Sequence, residues 1–248
     1  MEKWSDEWKR DQLNQLRTEW AGCKRCKLCE TRKNVVFGEG NVSADILFIG
    51  EAPGKEEDIS GTPFCGDSGN LFHGLLLATK IKLESVFITN ILGCQPPENR
   101  HPQREERDAC LARVFNIIYL IDPLLIVPMG AIALKALAKG RDWAITEQQG
   151  ELFSSPHPSF KIAGDQNGLE IPGLIFPKND EAKRKHCLEY DMLPIVHPAF
   201  ILKEDSFDSQ TKKFESKGWA ESTVLILNRI RQLIEQIHTE HENVRRHA

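Results

Sequence analysis

Short apolar runs alternate with longer stretches of helical period along most of the chain. The runs are DILFIG at 45–50, SVFITNIL at 85–92, LLIVPMG at 124–130 and LPIVHP at 193–198, with a weaker one, GLIF, at 173–176. Runs this short and this continuously apolar predict strands buried on both faces, the habit of a parallel sheet covered by helices on either side. Between them the pattern predicts helices from Gly69 to Ile81, Arg104 to Ile121 and Ala131 to Lys139. A first helix is predicted from about Ser5 to Trp20, where Ser5 and Asp6 can cap it and Trp8, Leu13, Leu16 and Trp20 return at roughly helical spacing. A last one is predicted from about Glu221 to His241, with Val224, Leu225, Leu227, Ile230, Leu233, Ile234 and Ile237 on a broad apolar face suited to docking on the sheet or on a partner. The expected fold class is α/β, a sheet sandwiched between helical layers.

The segment from Gly150 to Tyr190 breaks this rhythm. It contains SSPHPSF, AGDQNG and NDEAKRKH, all polar and turn-rich, and reads as an elaborated surface excursion rather than a second domain. The expected organisation is an N-terminal helix over residues 1–22 packed on one domain over 23–248, which carries the insertion at about 150–190 and ends in a helix. No internal repeat or low-complexity tract interrupts it.

Composition narrows the class. At 248 residues and 40% hydrophobic content the chain can bury a full core. A formal charge of −4 argues against coating nucleic acid by bulk electrostatics, yet leaves room for a local basic rim on an enzyme that touches few phosphates. The polar N-terminus lacks the apolar core of a secretory signal, and no apolar run approaches a membrane span, so a soluble intracellular protein is expected.

Seven cysteines in a reducing compartment favour metal or catalytic use over a disulfide framework. Cys23 and Cys26 form a C-x2-C pair in CKRCKLC, Cys94 lies in LGCQPPENR, and Cys110 lies on the helix that follows. Two thiols two residues apart on a turn point at one centre, and two more downstream can close a four-thiolate site. Zinc and an iron–sulfur cluster both suit such a site. Cys29, Cys65 and Cys187 read as small buried hydrophobes.

The loop GEAPGKEED, residues 50–58, poses a different problem. A Gly-rich turn after a strand usually offers backbone N–H groups to an anion. Here Glu51, Glu56, Glu57 and Asp58 would repel one, so the loop either only looks like a ligand cradle or works beside a centre that becomes positive.

Four motifs in order, CKRCKLCETRKNVVFGEGN, GEAPGKEEDISGTPFCGDSG, ITNILGCQPPENR and VHPAFILK, resemble those of the type-4 uracil-DNA glycosylases, the iron–sulfur branch of that superfamily. The likeness runs from about Cys23 to Lys203. It implies a three-layer α/β/α sandwich around a central four-stranded parallel sheet, and a [4Fe-4S] cluster on Cys23, Cys26, Cys94 and Cys110, with zinc as the alternative. It also implies excision of uracil from single- or double-stranded DNA, leaving an abasic site, by a monomer working on the genome. Cleaving a glycosidic bond makes the sugar cationic in the transition state, which gives the acidic loop a purpose. Glu51 and Asp58 then match the motif's acidic positions and either could position water, while Glu56 and Glu57 read as solvated charge.

A flipped base needs a pocket that reads it. Phe64 offers a stacking face, the Ala52 N–H a contact, and Asn90 an amide that can match O4 and N3–H of uracil and mismatch cytosine. His197 would stabilise the departing uracil anion at O2. A rival, His157, sits in a similar His-Pro setting but in polar loop sequence, and His197 is preferred. Phe200, Ile201 and Leu202, with Lys203 behind them, form a candidate wedge to fill the gap in the duplex. Arg100 and Arg104 are candidate phosphate contacts.

Three features depart from the family pattern: Cys65 where Val is common, Asp67 where a basic residue is usual, and about thirty extra residues before His197. No KRRIH-like insertion follows PPENR, so the covalently trapping relatives are a poorer match. Readings of other classes are an iron–sulfur nucleic-acid-binding module without excision, a zinc-bound structural protein, and a glycosylase for another deaminated base.

Overall fold

The computed structural model describes residues 4–138, 144–156, 189–208, 213–215 and 218–247. The GLIF run, His157 and Cys187 lie outside the described residues, as does most of the insertion.

The sheet is built on β2 (Ile46–Gly50), β3 (Val86–Asn90) and β4 (Leu125–Pro128), the first three predicted runs. Each is buried along its whole length. Strand β2 pairs in parallel with both neighbours, Phe48 standing opposite Ile88 on one side and Val127 on the other. Beyond β4 lies β6 (Glu189–Met192), also parallel. Two short antiparallel strands, β1 (Glu39–Gly40) and β5 (Phe153–Pro156), complete a six-stranded sheet in the order β1-β3-β2-β4-β6-β5.

Four of the six, β3, β2, β4 and β6, run parallel in the centre, and short antiparallel segments cover both edges. One expectation is corrected. The strand predicted at LPIVHP begins earlier, in EYDM. Of the predicted run, Ile195 keeps a single parallel bridge to Met129, since the chain there is leaving the sheet to enter a helix.

Alternation along the strands divides the core into two layers. Leu47, Ile49, Phe87 and Ile126 face α1 (Asp6–Ala21), α4 (Arg104–Ile121) and α5 (Ala131–Leu137). Ile46, Phe48, Ile88 and Val127 face α3 (Asp67–Ala78), α7 (Pro198–Glu204) and α8 (Trp219–His247). Two short helices, α2 (Lys55–Ser60) and α6 (Ile145–Gln148), sit in the connections.

Helix α1 is capped by Ser5, whose hydroxyl accepts from the Trp8 N–H. It joins the first layer through Leu13, Leu16 and Trp20. Lys9 is almost fully buried and donates from Nζ to the Ile121 carbonyl at 2.9 Å, an acceptor left open at the end of α4. Among the described residues no helix is long and apolar enough to cross a membrane.

Candidate active site and four-cysteine centre

Parallel strands deliver side chains at their carboxyl ends, and the candidate site gathers where β2 and β3 stop. Gly50 ends β2 and Asn90 ends β3, paired in register. The chain beyond them is braced by the Ile91 N–H on the Gly50 carbonyl at 2.8 Å and the Leu92 N–H on the Glu51 carbonyl at 3.0 Å. Gly50 marks the centre of the arrangement: a Cβ there would meet the Asn90 amide oxygen, Phe64 Cζ at 2.9 Å and His197 Nε2 at 3.4 Å. Three side chains from three separate segments thus converge on one α-carbon.

Phe64 holds its place at a conformational cost. Its φ is +52°, the left-handed region that a bulky residue enters only when its surroundings demand it. The ring is buried, tilted against Phe72 at 5.4 Å and facing His197 at 6.0 Å with only 33° between planes. Asn90 is 2% exposed, and among the described residues its side-chain oxygen has no hydrogen-bond partner. An unpaired buried acceptor costs about 1–3 kcal/mol unless solvent or a ligand supplies the donor, so this oxygen on the cleft wall is open to a group that enters the cleft.

His197 caps α7, its Nδ1 accepting from the Ala199 N–H at 3.2 Å. With Nδ1 as acceptor, the neutral ring carries its proton on Nε2, the atom directed at Gly50. Desolvation pulls its pKa down to about 4, so the ring is uncharged at neutral pH. A neutral imidazole with a fixed N–H is an electrophile poised for a developing anion.

These groups line a cleft of about 330 Å³ with Glu51, Ala52, Gly54, Glu57, Ser68, Asn99, Arg100 and His101 among its walls. Glu51 stands at its mouth, 28% exposed, paired with His101 Nδ1 at 3.1 Å.

Asp58 is not brought there. Its carboxylate accepts from the backbone N–H groups of Lys33 at 3.0 Å and Asn34 at 3.4 Å, and Asn34 Nδ2 donates back to the Asp58 carbonyl. Asp58 ties the acidic helix to the segment after the cysteine turn.

Glu57, read from the sequence as solvated, is buried instead. It accepts from the Gly54 N–H at 3.1 Å and the Gly66 N–H at 3.0 Å, and so holds the two ends of the loop that presents Phe64. The signal was present: a glutamate at the third position of a helix is the capping-box position.

The other expectations divide. Arg100 lines the cleft but is committed to Glu106 by a two-point ion pair at 2.6 and 2.9 Å. That pairing pulls the Glu106 carboxyl below its ordinary range. Arg104 is exposed and paired within its helix to Asp108 at 3.6 Å. In α7, Ile201 is buried in the second core layer and Phe200 packs edge-on against Trp219, leaving Leu202 and Lys203 facing solvent. Of the candidate wedge only Leu202, with Lys203 behind it, faces solvent, because a helix turns successive residues to different sides. Cys65 is exposed, with its sulfur 3.1 Å from Ser60 Oγ.

A second cavity lies where the end of α1, the loop after β3 and α4 meet. Cys23, Cys26, Cys94 and Cys110 all line it, with Arg25, Arg32 and Arg113 among the other walls. The four thiols are free of disulfides, and Cys29 is not part of the lining. Burial pushes the Cys94 thiol up to about 12 and raises Cys26 and Cys110 as well, with neighbouring cysteines adding to each shift. Arg32 counters at Cys94, its Nη1 3.7 Å from the sulfur. Among the described residues no group of three or more His, Cys, Asp or Glu side chains is arranged to hold a metal ion.

An α/β sandwich with a cleft of about 330 Å³ at its strand ends, walled by an amide, a neutral imidazole and a carboxylate, has its candidate site where enzymes built on parallel sheets bind their ligands. The family model described as "Uracil DNA glycosylase superfamily" matches residues 37–221. The chain is 37% identical over 170 residues to a type-4 uracil-DNA glycosylase of Thermotoga maritima, covering 65% of this chain and 88% of that protein. It is 41% identical over 193 residues to one of Pyrobaculum aerophilum, covering 77% and 85%. A type-5 uracil-DNA glycosylase of Thermus thermophilus is more distant, 33% identical over 117 residues, 41% of this chain and 53% of that one. The chain belongs to the uracil DNA glycosylase superfamily and, within it, to the type-4 branch.

Proposed function

We propose that this protein is a DNA repair glycosylase that takes uracil flipped out of DNA and hydrolyses its N-glycosidic bond, leaving an abasic site. The observation that carries the reading is the unpaired Asn90 oxygen, buried beside the Phe64 ring and His197 Nε2. Uracil presents an N3–H donor beside two carbonyl acceptors, and an amide offers one acceptor and one donor to that edge. Cytosine lacks the N3–H and would leave the Asn90 oxygen unpaired, at a cost large enough to discriminate.

Catalysis then rests on charge separation. As the bond to the sugar lengthens, negative charge gathers on the uracil carbonyls and positive charge on the sugar. The His197 Nε2–H donates to the carbonyl oxygen beside it, a contact that strengthens only as the anion forms. Glu51 at the cleft mouth stabilises the sugar cation and orients the attacking water. Phe64 stacks on the ring, and the Ala52 N–H contacts the base. Asp58 acts at one remove, by anchoring the loop. Leu202 supports the gap in the duplex and Lys203 meets its phosphates. Arg100 contributes through the shape it gives the cleft rim with Glu106.

The four-cysteine cavity suits a [4Fe-4S] cluster better than zinc. The thiols are spread over the walls of one cavity rather than drawn around one point, and a cluster takes each cysteine on a different iron. Buried thiols with raised pKa become thiolates only beside a strong positive charge, which bound iron supplies. The surrounding arginines offset the net negative charge of the loaded site. The cluster's contribution is structural: it would tie the turn after α1 to α4 and to the loop following β3.

Single-turnover release of uracil from a labelled oligonucleotide tests the activity, with His197→Ala as control. Release by the native protein and a loss of about 10²-fold or more in the variant is the expected result. Tight binding of the duplex with no release would overturn it in favour of a binding module.

A further inference from the structure

Among the described residues Arg113 is the largest fully buried side chain, at 0% exposure, and neither cavity alone explains it. It sits on α4 three residues after Cys110, so both side chains share one face of the helix. Its Nη1 donates to the Phe37 carbonyl at 2.6 Å and to Thr89 Oγ1 at 3.0 Å, and its Nη2 to the carbonyls of Asn90 and Ile91. Every one of these acceptors is neutral. Among the described residues its Nε has no acceptor, and the side chain lines the four-cysteine cavity. A fully buried cation without a counter-charge is among the costliest arrangements a fold can hold. The groups whose charge favours it are Cys110, Cys94 and Cys23, which oppose the effect of desolvation.

The carbonyls that Arg113 grips belong to the strand end that reads the base. Asn90 carries the unpaired amide, and the next two N–H groups, of Ile91 and Leu92, hold Gly50 and Glu51. The guanidinium therefore spans the wall between the two cavities, with the cysteines on one side and the backbone of the base reader on the other.

We propose that Arg113 is a positioning residue whose buried charge is balanced by the thiolates of the four-cysteine centre, and that it transmits the state of that centre to the Asn90–Leu92 turn. The inference rests on the cluster reading of the cysteines. Loading the centre would lock the guanidinium and the turn together. Losing it would leave a buried cation unbalanced, and the turn would loosen to let it escape.

The test compares the full-length native protein with Arg113→Met, which removes the charge, and Arg113→Lys, which keeps charge but loses the fork. Iron content and the cluster's midpoint potential are measured with amide hydrogen exchange at Ile91 and Leu92. Removing the charge should move the potential to more negative values in Arg113→Met and leave it near native in Arg113→Lys. Both variants should exchange these two amides at least tenfold faster. If either variant fails to fold, stripping iron from the native protein should accelerate the same two amides over the strands' own by a similar factor.

An iron-loaded Arg113→Met with native potential would overturn the charge balance, and unchanged exchange in the variants or the stripped protein would overturn the transmission. A native protein that binds no iron would overturn the cluster reading and this inference with it. These readouts do not depend on uracil release, so a failure here is distinct from a failure of the glycosylase assignment.

Discussion

The protonation of His197 offers the sharpest test of the site's chemistry. Its role requires a neutral ring with the proton on Nε2, and burial lowers its pKa from 6.5 to about 4. At pH 5 a histidine titrating near 4 is about one-tenth protonated, whereas one at its ordinary value is almost wholly protonated, with about 3% neutral. The part of the rate owed to His197 should thus fall by only about a tenth between pH 8 and pH 5, against about 30-fold for an unshifted ring. Single-turnover uracil release should be followed from pH 4.5 to 8 in the native protein and in His197→Asn. The ratio of the two cancels every other titrating group common to both. A ratio that stays level to about pH 5 and has only begun to fall at pH 4.5 is expected. A ratio that falls through a midpoint near 6.5 would refute the neutral-imidazole argument. The same shift carries a stability signature of known sign. Between the folded value of about 4 and the unfolded 6.5 the unfolded chain binds more protons at this site, so stability rises with pH across that window and is level above it. At about 1.4 kcal/mol per unit the span is worth at most about 3.5 kcal/mol, and His197→Asn should flatten that part of the stability profile in urea titrations.

Three further substitutions separate the roles of neighbouring residues. Gly50→Ala places a methyl against the buried Asn90 amide and Phe64 ring and close to His197, so these groups must shift; it should cut uracil release by about 10²-fold, the scale expected for displaced reacting groups, and cost about 1–3 kcal/mol of stability through overpacking, and near-native release would mean the base sits elsewhere. Asp58→Ala leaves the Lys33 and Asn34 N–H groups without their acceptor and should cost about 1–3 kcal/mol in denaturant, with release falling less than about tenfold; a loss of 10³-fold at native stability would return Asp58 to the chemistry. Ile201→Ala should destabilise the fold by about 2–5 kcal/mol, while Leu202→Ala should leave stability within about 0.5 kcal/mol yet weaken uracil release from duplex more than from single-stranded DNA; the reverse pattern would reassign the wedge.

The local code was legible wherever a segment's own period or spacing determined its state. Continuous apolar runs marked β2, β3 and β4, and the Arg104–Ile121 helix was bounded as it is found. The sequence pattern also brought Phe64, Asn90 and His197 under suspicion, and the structure gathers them around Gly50. What it could not reveal was settled between segments distant in the chain. Strand β1 is two residues long and β6 reads EYDM, so neither has a period of its own, and each is a strand because an existing edge pairs it. Asp58 and Glu57 are adjacent acids with opposite expected fates, yet both are buried, because backbone N–H groups up to 25 residues away needed acceptors. Arg113 gave no local sign of its burial, since its acceptors come from Phe37 and the end of β3. Local sequence determines backbone state and which face is apolar, because those depend on neighbours within a few residues. The fate of a charge depends on which groups surround it after the layers close, and that is decided only by the tertiary structure.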